Sequence, residues 1–287
     1  MKGRKLLNRR VKRLIENALK EDLHNGDITT EILFNNLKIS KKGIIKSKSE
    51  GIIAGIDIAE YIFKYIDNTL NIRKLFNDGD SIKKDDIIME IEGNVTSILK
   101  AERTALNFLI HMSGIATLTN EFIKKLNNPK IKILDTRKTL PNLREIEKYS
   151  VKVGGGENHR YNLGEMVLIK ENHLNSFGDI KTALKKIKTS EKLGNKKVEI
   201  EIERYEDLKE CIEYPPDIIM LDNMSIDEIK KSIEFIRKNL KDTKIEVSGG
   251  ITIDNIENYK ELDIDFISIG TITHSARSLD FSLLIEK

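Results

Sequence analysis

The stretch Asp217-Ile-Ile-Met-Leu-Asp-Asn-Met-Ser-Ile-Asp-Glu-Ile-Lys-Lys-Ser-Ile-Glu-Phe-Ile-Arg-Lys-Asn-Leu240, followed by Lys244-Ile-Glu-Val-Ser-Gly-Gly250, decides the fold. A short apolar run at 217–221, a helix-like segment at 225–240 and a second β-branched run at 244–247 read as one βαβ unit, the connection that parallel strands require. The same rhythm extends outward in both directions. Runs at 130–136, 166–170, 198–202 and 265–269 have strand character, and segments at 178–193, 205–213 and 252–262 have helix character. Repeated βα units imply a parallel sheet, and six strands predict a barrel short of the usual eight.

Before about residue 112 the pattern differs. An amphipathic helix at the N-terminus is followed by β-type runs at 43–48 and 51–55, a helix over 58–66, a turn at Asn77-Asp-Gly-Asp80 and a strand at Ile87–Glu92. The segment 101–112 reads as a further amphipathic helix. This is an α+β order, so the chain is expected to form two domains, 1–112 and 113–287. The segment Asp78–Gly93 also resembles the β-hammerhead of lipoyl and biotinyl carriers. It presents no lysine at a hairpin tip, and it is taken as structural.

Composition excludes several classes. The 287 residues are 33% charged and 39% hydrophobic with 17 Gly and 4 Pro, an ordinary globular balance. A formal net charge of +3 gives little reason to expect a nucleic-acid partner. The basic cluster Lys2, Arg4, Lys5, Arg9, Arg10, Lys12 and Arg13 interleaves with Leu6, Leu7, Val11, Leu14, Ile15 and Leu19, which describes a solvated helix face. Cys211 is the only cysteine, so neither an intrachain disulfide nor a cysteine-type zinc site can form. No apolar run approaches the roughly 18 residues of a membrane helix, and no signal-peptide core is seen. A cytoplasmic protein without a membrane partner is expected.

The polar residues fall at strand ends, where side chains of a βα barrel face its open mouth. They are Asp135-Thr136-Arg137-Lys138, Lys170-Glu-Asn172, Glu201, Glu203, Asp222-Asn223, Ser248-Gly249-Gly250 and Gly270-Thr271. With Arg144, His159 and Arg160 they bring several cations beside glycine turns, an arrangement suited to a polyanion. The two glycine ends follow the last two strands, where barrels often cradle phosphate on backbone amides, though plain αL turns have the same composition. Glu201 and Asp222 would repel a bare phosphate. They suit a substrate that brings magnesium or develops positive charge, or they pair with Lys170 or Arg137 to hold the barrel mouth. Among the histidines, His159 is expected in the site, His173 and His274 near it, and His24 and His111 in structural roles. Neither a P-loop, a dinucleotide fingerprint nor a nucleophile elbow occurs.

The motifs Glu21-Asp-Leu-His-Asn-Gly-Asp-Ile-Thr, Ala101-Glu-Arg-Thr-Ala-Leu-Asn, Met112-Ser-Gly-Ile-Ala-Thr, Asp135-Thr-Arg-Lys-Thr-Leu-Pro, Gly155-Gly-Glu-Asn-His-Arg, Ile169-Lys-Glu-Asn-His, Met220-Leu-Asp-Asn-Met, Val247-Ser-Gly-Gly-Ile and Ile269-Gly-Thr-Ile-Thr-His-Ser appear in order along nearly the whole chain. In these residues the chain resembles the quinolinate phosphoribosyltransferase family, also called nicotinate-nucleotide pyrophosphorylase (carboxylating). The resemblance implies an N-terminal open-faced α/β sandwich followed by an incomplete α/β barrel. It implies the reaction of quinolinate with phosphoribosyl pyrophosphate to give nicotinate mononucleotide, pyrophosphate and carbon dioxide, in NAD biosynthesis. It further implies magnesium carried with the pyrophosphate substrate and no organic cofactor.

By the same resemblance, Arg137, His159 and Arg160 bind the two quinolinate carboxylates, Thr136 and Ile269 are substrate-binding, and Lys138 and Lys170 lie near the junction of the two substrates. Glu201 and Asp222 face the ribose and its magnesium. Ser248, Gly249, Gly250, Gly270 and Thr271 form the 5′-phosphate cradle, and His274 is a substrate-binding residue expected near the phosphate. Arg103 enters the site of a neighbouring subunit, which implies a homodimer or a larger homo-oligomer. Glu171 stands where aspartate is common in the family, and Val247 where a small polar residue occurs.

Three other readings compete. A nicotinate phosphoribosyltransferase or a molybdenum-locus paralogue would share the architecture but need fewer cations. A barrel lyase could form a Schiff base on Lys170. A non-catalytic anion receptor could use the same pocket, although its paired acids would weaken it.

Overall fold

Asn8 starts the first helix, α1 (Arg9–Leu23), by accepting hydrogen bonds from the Arg10 and Val11 amides at 2.8 and 3.2 Å. Val11, Ile15 and Leu19, spaced by four, are its buried stripe, while Arg9, Arg10, Lys12 and Arg13 are exposed. The computed structural model describes residues 6–34 and 37–287, so Lys2, Arg4 and Lys5 of the basic cluster lie outside the described residues.

Along the chain follow α2 (Ile28–Phe34), β1 (Ser40–Ser47), β2 (Gly51–Ile52), α3 (Ile56–Ile66), β3 (Asn71–Lys74), β4 (Ser81–Ile82), β5 (Ile87–Asn94) and α4 (Val95–Leu126). Next come β6 (Lys132–Leu134), α5 (Arg144–Val153), β7 (Val167–Ile169), α6 (Glu171–Phe177), α7 (Ile180–Lys188), β8 (Val198–Ile202), β9 (Ile218–Asp222), α8 (Ile226–Asn239), β10 (Lys244–Ser248), β11 (Phe266–Ser268), α9 (Thr271–His274) and β12 (Phe281–Ile285). The described residues form two compact units. One takes those of Met1–Asn120, Thr139–Gly155 and Ile272–Lys287, and the other takes Glu121–Lys138 and Gly156–Thr271.

In the first unit an antiparallel sheet has the order β12-β1-β5-β3. Its register aligns Leu283, Ile45 and Met89 in one row, and alternation along each strand turns them to a single face. That face shares a core with Ile58, Ile62 and Phe63 of α3 and with Ile98, Ala105 and Leu109 of α4. Asp78 accepts from the Gly55 and Ile56 amides at 2.9 Å each and from the Tyr149 hydroxyl at 2.7 Å, so the hammerhead-like segment is structural, as expected. The α4 helix is longer than the sequence reading: 32 residues, about 48 Å at 1.5 Å per residue. Residues 112 and 113, the expected domain boundary, lie inside it. Gly114 is tolerated there because a Cβ would meet Arg277 backbone and, at 3.2 Å, Ser278 Cα.

The second unit contains the six-stranded parallel sheet, in the order β6-β11-β10-β9-β8-β7. First strand pairs with last, β6 with β11, as in a closed barrel, and the seam lies between β6 and β7. Between these two strands the chain passes through α5 of the first unit, so no barrel crossover helix joins them. The seam is spanned by residues 157–160. Glu157 forms a parallel bridge to Leu134, and Arg160 Nη1 donates to Met166 O at 3.0 Å, just before β7.

Two expected crossover helices are 3₁₀ turns. Tyr205–Cys211 buries Leu208 and Cys211, a spacing of three that suits three residues per turn, and Ile256–Tyr259 likewise buries its two ends. Burial pushes the Cys211 thiol up to about 12. Among the described residues no helix is long and apolar enough to cross a membrane.

Candidate active site

Strand β8, Val-Glu-Ile-Glu-Ile, is buried along nearly its full length, and alternation puts Glu199 and Glu201 on the same face. In β10 the same rule pairs Glu246 with Ser248, and register places Ser248 beside Asp222 at the end of β9. These carboxylates line one side of the barrel at two depths.

Toward the strand ends, oxygens of Glu201, Glu203 and Asp222 all lie within 4.8 Å of one another. Lys170, directly after β7, forms an ion pair with Glu201 Oε2. The Asp222 carboxyl is pushed above its ordinary range by burial and by Glu201, while Ser248, Lys170 and Lys138 oppose that shift. The sequence-predicted residues Lys138, Lys170, Glu201, Asp222 and Ser248 therefore share one electrostatic neighbourhood. An all-oxygen, three-carboxylate set is the donor type that magnesium prefers. It can equally stand against positive charge that develops on a reactant.

The cationic side is built from the loop after Gly154. Buried Asp135 accepts from the His159 amide at 3.0 Å and from Asn158 Nδ2 at 2.5 Å, which fixes that loop against the end of β6. Arg160 is only 8% exposed, and its Nε is buried with no hydrogen-bond partner among the described residues. Burial and the neighbouring Arg137 both lower the Arg160 pKa, and Glu199 partly offsets them. Two guanidinium groups within electrostatic reach of each other, one of them dehydrated, make a receptor for an anion with more than one carboxylate.

Below them lie two residues that the sequence reading missed. His159 Nε2 is 2.9 Å from Glu199 Oε2 and 3.7 Å from Glu246 Oε2, and both glutamates are fully buried. Burial raises each carboxyl to about 8. The signal was present in Glu199 and Glu246, each flanked by Val or Ile within a strand buried on both faces. A charge in that position has only the barrel interior to enter.

The glycine turns are tightly specified. Gly249 and Gly250 have φ of 89° and 63°, and a Cβ on Gly249 would meet Asn223, including its backbone nitrogen at 2.7 Å. Asn223, itself left-handed, donates its amide to Ser248 O at 3.0 Å, and Asn255 closes the turn on Gly250 O at 2.9 Å. Ile269 is buried and donates to Leu134 O at 3.0 Å, which delivers Gly270 and Thr271 to the start of α9. Thr136 Oγ1 accepts the Lys138 amide at 2.9 Å and shapes the turn after β6.

The remaining candidates take other positions. His173 Nδ1 accepts the Lys170 amide at 3.0 Å, which ties it to the start of α6. His111 sits 3.0 Å from buried Glu147, whose other oxygen accepts the Leu140 amide, the structural role expected for it. In the first unit, His274 is exposed with Nδ1 2.6 Å from Ser275 Oγ. Arg103 is exposed on α4 and forms no hydrogen bond or ion pair with any described residue.

Two family models together match most of the chain: quinolinate phosphoribosyl transferase, N-terminal domain, at residues 27–113, and C-terminal domain, at 115–284. The chain is 42% identical over 281 residues to a probable nicotinate-nucleotide pyrophosphorylase [carboxylating] of Methanocaldococcus jannaschii, covering 96% of this chain and 97% of that one. A protein of the same description from Bacillus subtilis is 38% identical over 274 residues, covering 95% and 92%. Among solved structures, nicotinate-nucleotide pyrophosphorylase from Francisella tularensis aligns with a TM-score of 0.90 at 38% identity, covering 96% of each chain.

Proposed function

Because the chain belongs to the quinolinate phosphoribosyl transferase family, we propose that it transfers the phosphoribosyl group of phosphoribosyl pyrophosphate to quinolinate, releasing pyrophosphate and carbon dioxide and forming nicotinate mononucleotide for NAD biosynthesis. The observation that carries this reading is the gathering of cations and carboxylates at the ends of the barrel strands. Arg137 and Arg160 lie within electrostatic reach of each other, and oxygens of Glu201, Glu203 and Asp222 gather within 4.8 Å of one another, with Lys170 paired to Glu201.

Quinolinate is a dianion, so Arg137, His159 and Arg160, with Thr136, would bind its two carboxylates. Lys138 and Lys170 would face the pyrophosphate side. As pyrophosphate leaves the ribose C1, positive charge builds on the sugar, and the fixed carboxylates of Glu201 and Asp222 stabilise it without reorganising. Glu201 and Asp222 would also hold magnesium brought with the substrate, which supplies charge neutralisation for the leaving group. Ser248, Gly249, Gly250, Ile269, Gly270, Thr271 and His274 would bind the 5′-phosphate, largely by backbone amides. Once the pyridine nitrogen is ribosylated it is cationic, so the ring can hold the electron pair left when the C2–carboxylate bond breaks, and a proton then adds at C2. No organic cofactor is needed.

The working unit proposed is a homodimer or larger homo-oligomer, with Arg103 of the partner subunit completing each site. Arg103 is exposed, and the neighbouring surface chemistry supports self-association: Ile28, Ile32 and Leu33 on α2 are 72%, 71% and 68% exposed. A cytoplasmic location is proposed on the ground that the single cysteine allows no intrachain disulfide.

The test is an assay with quinolinate, phosphoribosyl pyrophosphate and magnesium, following carbon dioxide and nicotinate mononucleotide together. Equal yields of the two are expected. Turnover of nicotinate in place of quinolinate, with no carbon dioxide released, would overturn the assignment.

A further inference from the structure

The buried acids beneath His159 belong to none of the roles assigned so far. Glu199 and Glu246 come from strands β8 and β10, both at 0% exposure, and converge on one ring nitrogen of His159 from two directions. Ser268 of β11 adjoins Glu246, and Arg160 and Lys170 lie within electrostatic reach of Glu199. Buried carboxyls without a compensating role are costly to desolvate, so replacing them with apolar residues would stabilise a barrel that did not use them.

What they contact is the loop that carries His159 and Arg160. That loop is already tied at its backbone by Asp135, which leaves the side-chain ring to be fixed from below. We propose that Glu199 is a positioning residue for the dicarboxylate substrate, holding the His159 ring through Nε2, with Glu246 packed behind the same nitrogen, its Oε2 3.7 Å away. Held in this way, the ring keeps one orientation beside Arg160 before substrate arrives, and the binding step loses less side-chain freedom. The inference rests on the reading that His159 and Arg160 receive quinolinate.

The experiment compares Glu199→Ala, Glu199→Gln, Glu246→Gln and His159→Ala in the full-length protein, with KM measured separately for quinolinate and phosphoribosyl pyrophosphate. Glutamine keeps the length and hydrogen-bonding capacity of glutamate, so Glu199→Gln is expected to stay within about threefold of wild type for both substrates. Glu199→Ala is expected to raise quinolinate KM at least tenfold while leaving the phosphoribosyl pyrophosphate KM within about threefold. Should the alanine variant fail to fold, the ring ¹⁵N resonances of His159 in Glu199→Gln and Glu246→Gln decide. One sharp set in each, as in wild type, is expected, and averaging between ring orientations in wild type itself would overturn the proposal.

An unchanged quinolinate KM in folded Glu199→Ala, with a raised one in His159→Ala, refutes the positioning role alone. An unchanged KM in His159→Ala refutes the substrate assignment beneath it. A transition-metal ion retained at one per chain after dialysis against a chelator, and lost in Glu246→Gln, would also overturn it, since the three groups would then be ligands.

Discussion

Arg160 holds its charge at 8% exposure within electrostatic reach of Arg137, and among the described residues its Nε has no hydrogen-bond partner. Such a group binds an anion strongly because little water has to leave. Arg137→Ala and Arg160→Ala are therefore expected to raise the quinolinate KM about tenfold or more, and Glu201→Ala to lower kcat about a hundredfold with a smaller effect on KM. Steady-state kinetics decide, with a melting curve for Arg160→Ala because its side chain also spans the barrel seam.

Glu246 gives a second test at this scale. Its carboxyl is raised to about 8 in the fold from an ordinary 4.5, so the folded state binds the proton more tightly than the unfolded state. That contribution is full below the unfolded value and is lost as pH rises through the folded one. Glu246→Gln cannot ionise, and its melting temperature is expected to fall less than that of wild type between about pH 5 and pH 8. Parallel pH profiles for the two proteins would show that Glu246 does not titrate in this window. Strand-end residues such as Asp222 were legible in the sequence because each follows an apolar run. Glu199 and Glu246 are marked only by the Val and Ile on either side of them, a weaker signal than a strand end, because a glutamate inside a β-branched run also fits a solvent-facing strand.

At the level of elements, α8 shows how local signals agree with the fold. Ser225 Oγ accepts the Glu228 amide at 3.3 Å, and Glu228 Oε2 accepts the Ser225 amide at 3.0 Å, a reciprocal cap. Ser225→Ala is expected to cost about 1 kcal/mol in urea unfolding without changing the quinolinate KM. The barrel strands were readable because each is a short apolar run between turns. The 3₁₀ crossovers were read as helices because Leu208 and Cys211 offer a spacing that fits either period. The sequence pattern ends a helix at residue 112, where the rhythm changes to alternating βα units, whereas α4 runs on through Ser113 and Gly114. In the fold that glycine serves a close backbone approach, and Ser113 Oγ accepts the Ala54 amide at 3.0 Å. Strand β12 was missed, since a five-residue run carries no sign of a partner in β1.

For the whole molecule, the proposed assembly makes a prediction that one chain cannot satisfy. If Arg103 of the partner subunit completes each site, Arg103→Ala and Glu201→Gln chains are each inactive alone. Unfolded together and refolded as a mixture, they are expected to regain about a quarter of wild-type activity, because half of the dimers are hybrids with one intact site of two. No recovery in a mixture shown to contain hybrid dimers would place Arg103 outside its neighbour's site.

The pairing of β12 with β1, Ile45 opposite Leu283, sets an order of events during synthesis. When β1 leaves the ribosome, β5 can join one of its edges within a few dozen residues, but the other edge has no partner until the whole barrel has been made. During that interval the barrel can form first while the sheet waits with an unprotected strand, an exposure that grows longer wherever translation is slow.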